Sequence, residues 1–262
     1  MIISNTITFD FLMCVNVDNP FLDASIESML NQDYDKNYNI IIVANNCNDE
    51  LYQKLRDYER KYENIILYRT LIGQLAFNLN YGANLSSADY LIRMDSDDVC
   101  LKNRLKLTEK YIYEFDYPDV IVGGYKYIND KNECIGDYSR IYDSISLKKI
   151  LPFKNIIRHP ACAIKLKSFF SIKGYAGSLH GEDYDLWTRM LRNNYTFKSF
   201  KEPIIYYRLS NFQVRGSAIA YADGIGVRLR EFILGNNWLY LLGFFYSLFK
   251  YLVLRLLNRV KF

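Results

Sequence analysis

The sequence predicts an α/β fold, a mainly parallel sheet flanked by helices, with a helical extension at the C-terminus. Two observations carry this. Through the first 125 residues, apolar runs of strand length alternate with segments of helical period, the pattern of βαβ units. After about Asn211 the composition changes, and a basic, aromatic and aliphatic stretch runs to the end. With 262 residues, half of them hydrophobic and 24% charged, the chain has material for one substantial domain and an appendage, and a mostly disordered protein is excluded.

Taken in order, strands are expected at Thr8–Val15, Asn39–Val43, Ile65–Tyr68, Tyr90–Met94 and Val120–Gly123. Between them, Phe21–Leu30 sets Leu22, Ile26, Met29 and Leu30 on one helical face, and Leu101–Phe115 does the same with Leu101, Leu105, Ile112 and Phe115. Neither G-x-G-x-x-G nor a P-loop follows any of these strands, so a phosphate-bearing ligand needs another device. Beyond about residue 125 the pattern turns irregular and Tyr-rich, which reads as structure built onto the sheet, until a strong helix opens near Glu182. From Phe232 to Phe249 there are 18 residues without charge, borderline for a membrane span. At 100° per residue, Trp238, Leu242, Phe245, Phe249, Leu252, Leu256 and Val260 fall on one side. Ser247, Lys250, Arg255, Asn258 and Arg259 fall on the other. This is the form of a helix lying in an anionic membrane surface; packing on the domain or on another subunit is the alternative.

The formal net charge of +4 is small for this length, and nucleic acid is not an expected partner. Five cysteines without a C-x-x-C pair and two histidines without paired spacing argue against zinc and for a reduced, cytosolic setting. The stretch Met1–Asp10 has the features of a strand entry rather than a signal peptide.

Two acidic groups stand out. Tyr90–Met94 delivers Asp95-Ser96-Asp97-Asp98 at its C-terminal end, where open α/β sheets place their ligand crevice. Carboxylates this close repel one another unless a divalent cation shares them, and such a cation can neutralise a leaving diphosphate. An acidic turn capping the next helix is the plain alternative. Farther on, Gly181-Glu182-Asp183 opens a helix with Leu186, Trp187, Met190 and Leu191 on its apolar face. Asp183 in its first turn is either a helix-dipole partner or a catalytic carboxylate.

Together these segments resemble family 2 glycosyltransferases of the GT-A fold, a Rossmann-like sheet with an acceptor-side half. The likeness rests on Gly73-Gln74-Leu75-Ala76-Phe77-Asn78-Leu79-Asn80-Tyr81-Gly82, on Arg93-Met94-Asp95-Ser96-Asp97-Asp98 and on Asn103-Arg104-Leu105, in family order. Asn19-Pro20-Phe21-Leu22, Ser25–Gln32, Pro118–Gly124 and His159-Pro160 extend it from about Phe11 to Arg208. The most similar members build bacterial lipopolysaccharide, capsule and exopolysaccharide. The resemblance implies a donor half over about 1–125 and an acceptor half over about 126–210, and the amphipathic tail adds a membrane-associating segment over 211–262. It implies an inverting hexosyltransferase that takes one sugar from a nucleotide-diphosphate sugar, a UDP-sugar first, to a lipid-linked glycan. Asp95, Asp97 and Asp98 would hold Mn or Mg. Asn45, Asn80, Arg93, Asp95, Asp97 and Arg208 would meet the donor, His159 and Glu182 the acceptor, and Asp183 would be the base. The enzyme would work in the cytoplasm at the inner face of the cell membrane.

Two departures matter. Members of the family commonly carry an Asp after the second strand to bond the nucleotide base, whereas Val43-Ala44-Asn45-Asn46 stands here. The Gln-x-x-Arg-Trp signature of processive synthases is absent, so a single addition is expected. A nucleotidyltransferase is disfavoured by Asn16-Val17-Asp18-Asn19-Pro20 in place of a Gly-rich loop, and a non-catalytic sugar-binding protein has the Asn45 departure as its support.

Overall fold

The computed structural model describes residues 6–177, 179–209 and 217–257. In chain order the first half runs β1 (Phe9–Val15), α1 (Leu22–Leu30), β2 (Tyr38–Asn45), α2 (Asp49–Lys61), β3 (Ile65–Thr70), α3 (Leu75–Asn84), β4 (Tyr90–Met94), β5 (Val99–Cys100), α4 (Arg104–Glu114) and β6 (Val120–Ile128). Then follow β7 (Cys134–Tyr138), α5 (Ser144–Ile150), a 3-10 turn (His159–Ala161), β8 (Cys162–Lys165), α6 (Leu166–Ser171), α7 (Glu182–Arg192), β9 (Phe197–Arg208), α8 (Ala218–Gly235) and α9 (Trp238–Leu256).

One sheet of order β3-β2-β1-β4-β8-β6-β9-β5 runs through the molecule, with β7 paired to β6. Strands β3, β2, β1 and β4 are mutually parallel, and so are β6 and β9. The mainly parallel α/β sheet read from the sequence is therefore present. β1 lies between β2 and β4 and is apolar on both faces, as a covered parallel strand must be. Its one buried carboxylate, Asp10, accepts from Asn39 Nδ2 at 3.0 Å and Ser86 Oγ at 2.6 Å. α2 starts on Asn48, whose side chain accepts from Leu51 N at 3.0 Å, and ends on Arg60 and Lys61. It buries Leu51 and Leu55, too few apolar residues to mark its period.

The second half is built into the sheet rather than onto it. β8 slots antiparallel between β4 and β6, and so places the 3-10 turn beside the end of β4. Farther along, α7 is bound to α8 by buried charges. Asp185 accepts from Arg189 Nε at 2.7 Å and from Arg230, while Glu231 accepts from Arg192 Nε at 2.9 Å and Arg230 Nη2 at 2.7 Å. Removing one member of such a set strands a buried charge, so the helices are held in one register.

The C-terminal segment is two helices. Asn236, at φ +47°, ends α8 in the left-handed region, and α9 turns back along it. Tyr240, Gly243 and Ser247 face the domain, and a Cβ at Gly243 would come within 2.0 Å of the Pro152 carbonyl oxygen. Ser247 thus lies on the packed face and not on a wet one. Trp238, Leu242, Phe245, Phe249, Leu252 and Leu256 are exposed along the other side, with Lys250 and Arg255 exposed beside them. The 19-residue helix is long and apolar enough to cross a membrane, with 17% of its most apolar window buried in the protein. The expected Val260, Asn258 and Arg259, and the break at Asn211, lie outside the described residues.

Candidate active site

β1, β2 and β4 are parallel and in register, so their C-terminal ends open on the same edge of the sheet. A cavity of about 550 Å³ lies there, walled by Asn16–Phe21 after β1, Asn45 at the end of β2, and Arg93, Asp95 and Asp97 from β4 and its turn. Carboxylate oxygens of Asp95, Asp97 and Asp98 all lie within 4.8 Å of one another. Burial, with Asp95 close by, lifts Asp97 to about 6. Burial and the same neighbours push Asp98 well above the usual carboxylate range. One oxygen of Asp98 accepts from the Arg208 backbone N–H at 2.8 Å, and the other is buried without a partner. A buried orphan oxygen among crowded carboxylates fits a divalent cation, whose charge would relieve all three.

The turn is held from three sides. Ser25 Oγ donates to the Asp95 carbonyl at 3.0 Å, and Asn19 Nδ2 to Ser96 Oγ at 3.0 Å. Arg208, fully buried, donates through Nε to the Asp97 carbonyl at 2.8 Å and through Nη1 to the Asn129 carbonyl at 2.6 Å, its guanidinium 3.7 Å from the Phe21 ring centroid. Arg208, expected on the donor, is thus engaged in fixing the carboxylate turn. Arg93 pairs with Asp95 and lines the cavity. Asn45 lines it too, buried, with its Oδ1 lacking a partner. Asn80, also expected on the donor, is occupied elsewhere: its amide closes two bonds on the Tyr175 backbone, at 2.9 and 2.8 Å. Through Tyr175 it stands one step from His159, because the Tyr175 hydroxyl lies 2.5 Å from His159 Nε2.

A second cavity of about 340 Å³ adjoins the first and shares Leu75, Arg93 and Asp95 with it. Its walls carry Asn155, Arg158, His159, Glu182, Asp183 and Tyr207. Gly181 makes the approach possible: at φ +83° it turns the chain into α7 so that Glu182 and Asp183 lead the helix. The His180 N–H donates to Asp223 Oδ2 of α8 at 2.9 Å and pins that turn. Asp183 accepts from Asn155 Nδ2 at 3.0 Å and from the Tyr184 N–H at 2.7 Å. Burial raises its pKa, against the pull of those two donors. Burial and the Asp183 charge lift Glu182 to about 7. His159 is held neutral by burial and by Arg93, and its Nδ1 stands 3.8 Å from Glu182, too far for a hydrogen bond. A wider groove of about 790 Å³ near Tyr111, Asp143 and Lys198 holds none of the expected site residues.

Arg104 is a residue to which sequence reasoning gave no role. Fully buried, it donates through Nη2 to the Arg93 carbonyl at 2.9 Å and the Pro160 carbonyl at 2.7 Å, tying the two cavities together at their backs. Its place in a family-like Asn-Arg-Leu run is the signal that could have found it.

The glycosyl transferase family 2 model matches residues 11–171, the span that builds β1 to α6. Over 226 residues the chain is 35% identical to the O-antigen biosynthesis glycosyltransferase WbnJ of Escherichia coli, covering 85% of this chain and 87% of that one. It is 27% identical over 236 residues to an E. coli UDP-Gal:alpha-D-GlcNAc-diphosphoundecaprenol beta-1,3-galactosyltransferase, covering 83% and 80%. Among solved structures, TarS 1–349 of S. aureus superposes with a TM-score of 0.71 at 15% identity, over 93% of this chain and 72% of that one, and a similar fold recurs in its complex with UDP-GlcNAc at 0.67. With its sheet, its strand-end carboxylates and this match over most of its length, the chain belongs to glycosyl transferase family 2.

Proposed function

We propose that the protein transfers one sugar from a UDP-sugar to a hydroxyl of a lipid-linked glycan, with inversion, in the assembly of O-antigen or a related surface polysaccharide. The observation that carries this is the meeting of the two cavities. One holds a cation-type carboxylate cluster, the other a buried, oriented carboxylate, and Arg93 and Asp95 form their common wall.

The nucleoside diphosphate occupies the first cavity. Asn45 Oδ1, buried without a partner, accepts the imide N–H of uracil, and Asp95 and Asp97 meet the ribose side. Mn or Mg held by Asp95, Asp97 and Asp98 supplies the charge that a departing diphosphate requires. Arg93 keeps Asp95 in place. The acceptor sugar enters the second cavity, where Asp183 takes the proton of the attacking hydroxyl, on the face away from the leaving group. Asn155 fixes the Asp183 oxygens, and neutral His159 and Glu182 line the acceptor. The names of two relatives support the substrate class, since they state O-antigen biosynthesis and a lipid-diphosphate acceptor with a UDP-sugar donor. TarS binding UDP and UDP-GlcNAc on the same fold supports the donor. The exposed apolar side of α9, with Lys250 and Arg255, is the part that would rest on the anionic inner face of the cell membrane from the cytoplasm.

The test is thermal stabilisation by nucleoside diphosphates with Mn, with Mg and with chelator. A rise for UDP that needs the metal and disappears in Asp97→Ala is expected. No rise with any nucleotide would leave a non-catalytic sugar-binding protein as the better reading.

A further inference from the structure

We propose that Arg158 recognises an anionic group on the acceptor, a phosphate or carboxylate next to the sugar whose hydroxyl reacts. This deepens the transfer reaction proposed above and rests on it.

Arg158 directly precedes the 3-10 turn and lines the same cavity as Asp183 and Glu182. What sets it apart is the state of its guanidinium. Arg93 is paired with Asp95, Arg104 donates to two carbonyls, Arg189 pairs with Asp185 and donates to the Ile172 carbonyl, and Arg208 holds the carboxylate turn. Among the described residues, by contrast, the ion pairs include no carboxylate partner for Arg158. Its Nε is buried with no acceptor, as are those of Arg93 and Arg104, but where those two make close bonds through their other nitrogens, Arg158 Nη2 stands 3.4 Å from the Tyr127 hydroxyl, a long contact. Around it are aromatic rings, with the guanidinium 5.8 Å from the Tyr125 centroid and 5.6 Å from that of Tyr207.

An arginine stays charged whatever its surroundings, and a half-buried charge without a counter-ion is costly. Ring faces offset part of that cost and fix the plane of the group. They supply no acceptor for its N–H edge. A guanidinium held this way presents a fork that matches the paired oxygens of a phosphate or carboxylate. Of the cavity's other carboxylates, Asp95 is engaged by Arg93, and Asp183 by Asn155 and the Tyr184 N–H with Arg158 acting on it only through its field, while Glu182, lifted to about 7 by burial and the Asp183 charge, makes no ion pair with Arg158 among the described residues. The anion that completes Arg158 therefore arrives with a ligand. The donor diphosphate belongs to the first cavity, whose wall includes Asp97 and not Arg158. The ligand of the second cavity is the acceptor, and in the diphosphoundecaprenol relative its name places a diphosphate directly on the acceptor sugar. A phosphate is the source to which this inference commits first.

The test uses the full chain and two probes, an N-acetylglucosamine α-diphosphate alkyl ester and the neutral alkyl glycoside of the same sugar, with binding read by calorimetry with and without UDP and Mn. The wild type should bind the diphosphate probe at least about tenfold tighter. Arg158→Gln should erase that preference without changing affinity for the neutral glycoside or for UDP, and Arg158→Lys should keep part of it. Preference for an alkyl glucuronide over the diphosphate probe, lost in Arg158→Gln, would retain the anion site and reassign it to a carboxylate. Equal binding of charged and neutral probes by the wild type would overturn the proposal, and so would a preference that survives in Arg158→Gln. Weaker UDP binding in Arg158→Gln, with the probe preference intact, would give the arginine to the donor diphosphate instead. Failure of every nucleoside diphosphate to bind the wild type sinks the transferase reading, whereas the probe comparison without nucleotide still reads Arg158.

Discussion

The two carboxylate groups of the site are built differently. Asp95, Asp97 and Asp98 sit on a turn that is bonded from α1, from Arg93 and from Arg208, so their positions are set before any ligand arrives. Glu182 and Asp183 stand at the head of a helix entered through one glycine, with Asn155 as the side-chain donor to Asp183 and Arg158 in the same cavity wall. Around the first cavity three buried side-chain atoms among the described residues lack a partner, Asn45 Oδ1, Asp98 Oδ2 and Arg93 Nε, and the wall of the second carries Arg158, which makes no ion pair among the described residues. A site that must hold a common cofactor-like diphosphate can be prebuilt, whereas one that selects among glycans has to leave unmatched groups for the substrate to match.

Substituting Asp183, the proposed base, should produce the largest effect. Asp183→Asn keeps the shape and one of the two accepted hydrogen bonds, and transfer should fall about 10²–10⁴-fold with UDP affinity within about twofold of wild type. A comparable loss of UDP binding would mean that Asp183 belongs to the donor side. Next comes the joint between the two sides. Arg104→Met should cost about 3 kcal/mol in urea unfolding, because two buried carbonyls lose their donor. A loss below about 1 kcal/mol would mean that other groups carry that joint.

Smaller changes sharpen the same contrast. Phe245→Glu with Phe249→Glu should weaken sedimentation with anionic vesicles about tenfold and leave UDP binding alone, and unchanged sedimentation would end the membrane reading of α9. The smallest effect is on pH. Asp97 at about 6 and Glu182 at about 7 lie above the unfolded values near about 4, so the folded chain holds these protons more tightly. The stability they contribute is whole below about pH 4 and is lost as pH rises through 6 and 7. In chelator the melting temperature should fall by a few degrees across that window. Mn should restore the Asp97 share at the upper end, and Glu182→Gln should flatten the remainder. A melting temperature that stays level from about pH 5 to about pH 8 in chelator would place both carboxyls in contact with water.

How far the site could be read in advance differs between its sides for the same reason. Asp95, Asp97 and Asp98 follow a five-residue apolar strand, and a strand end in a parallel sheet is a place that local pattern can name. Glu182 and Asp183 were visible as the start of an amphipathic helix. Asn80 and Arg208 were expected on the donor from motif order, and the structure shows their side chains bonded to Tyr175 and to the Asp97 turn. Motif order gives the neighbourhood of a side chain and not the direction in which it bonds. Ser247 makes the same point on α9, where a polar residue on a calculated wheel proved to be the packed side, its neighbour Gly243 lying against Pro152.

The amino-acid sequence by itself determined the alternation of strands and helices up to β6, the carboxylates at the end of β4, the start of α7 and an apolar C-terminal helix. Each is a matter of local period, caps and turn chemistry, which neighbouring residues settle among themselves. Only the tertiary structure decided that β8 enters between β4 and β6, that the two cavities share Arg93 and Asp95, and that Arg158 stands in the second cavity with its Nε buried and unpartnered. These depend on pairings between residues far apart in the chain, where burial and hydrogen-bond completion of the whole sheet choose among partners that look alike locally.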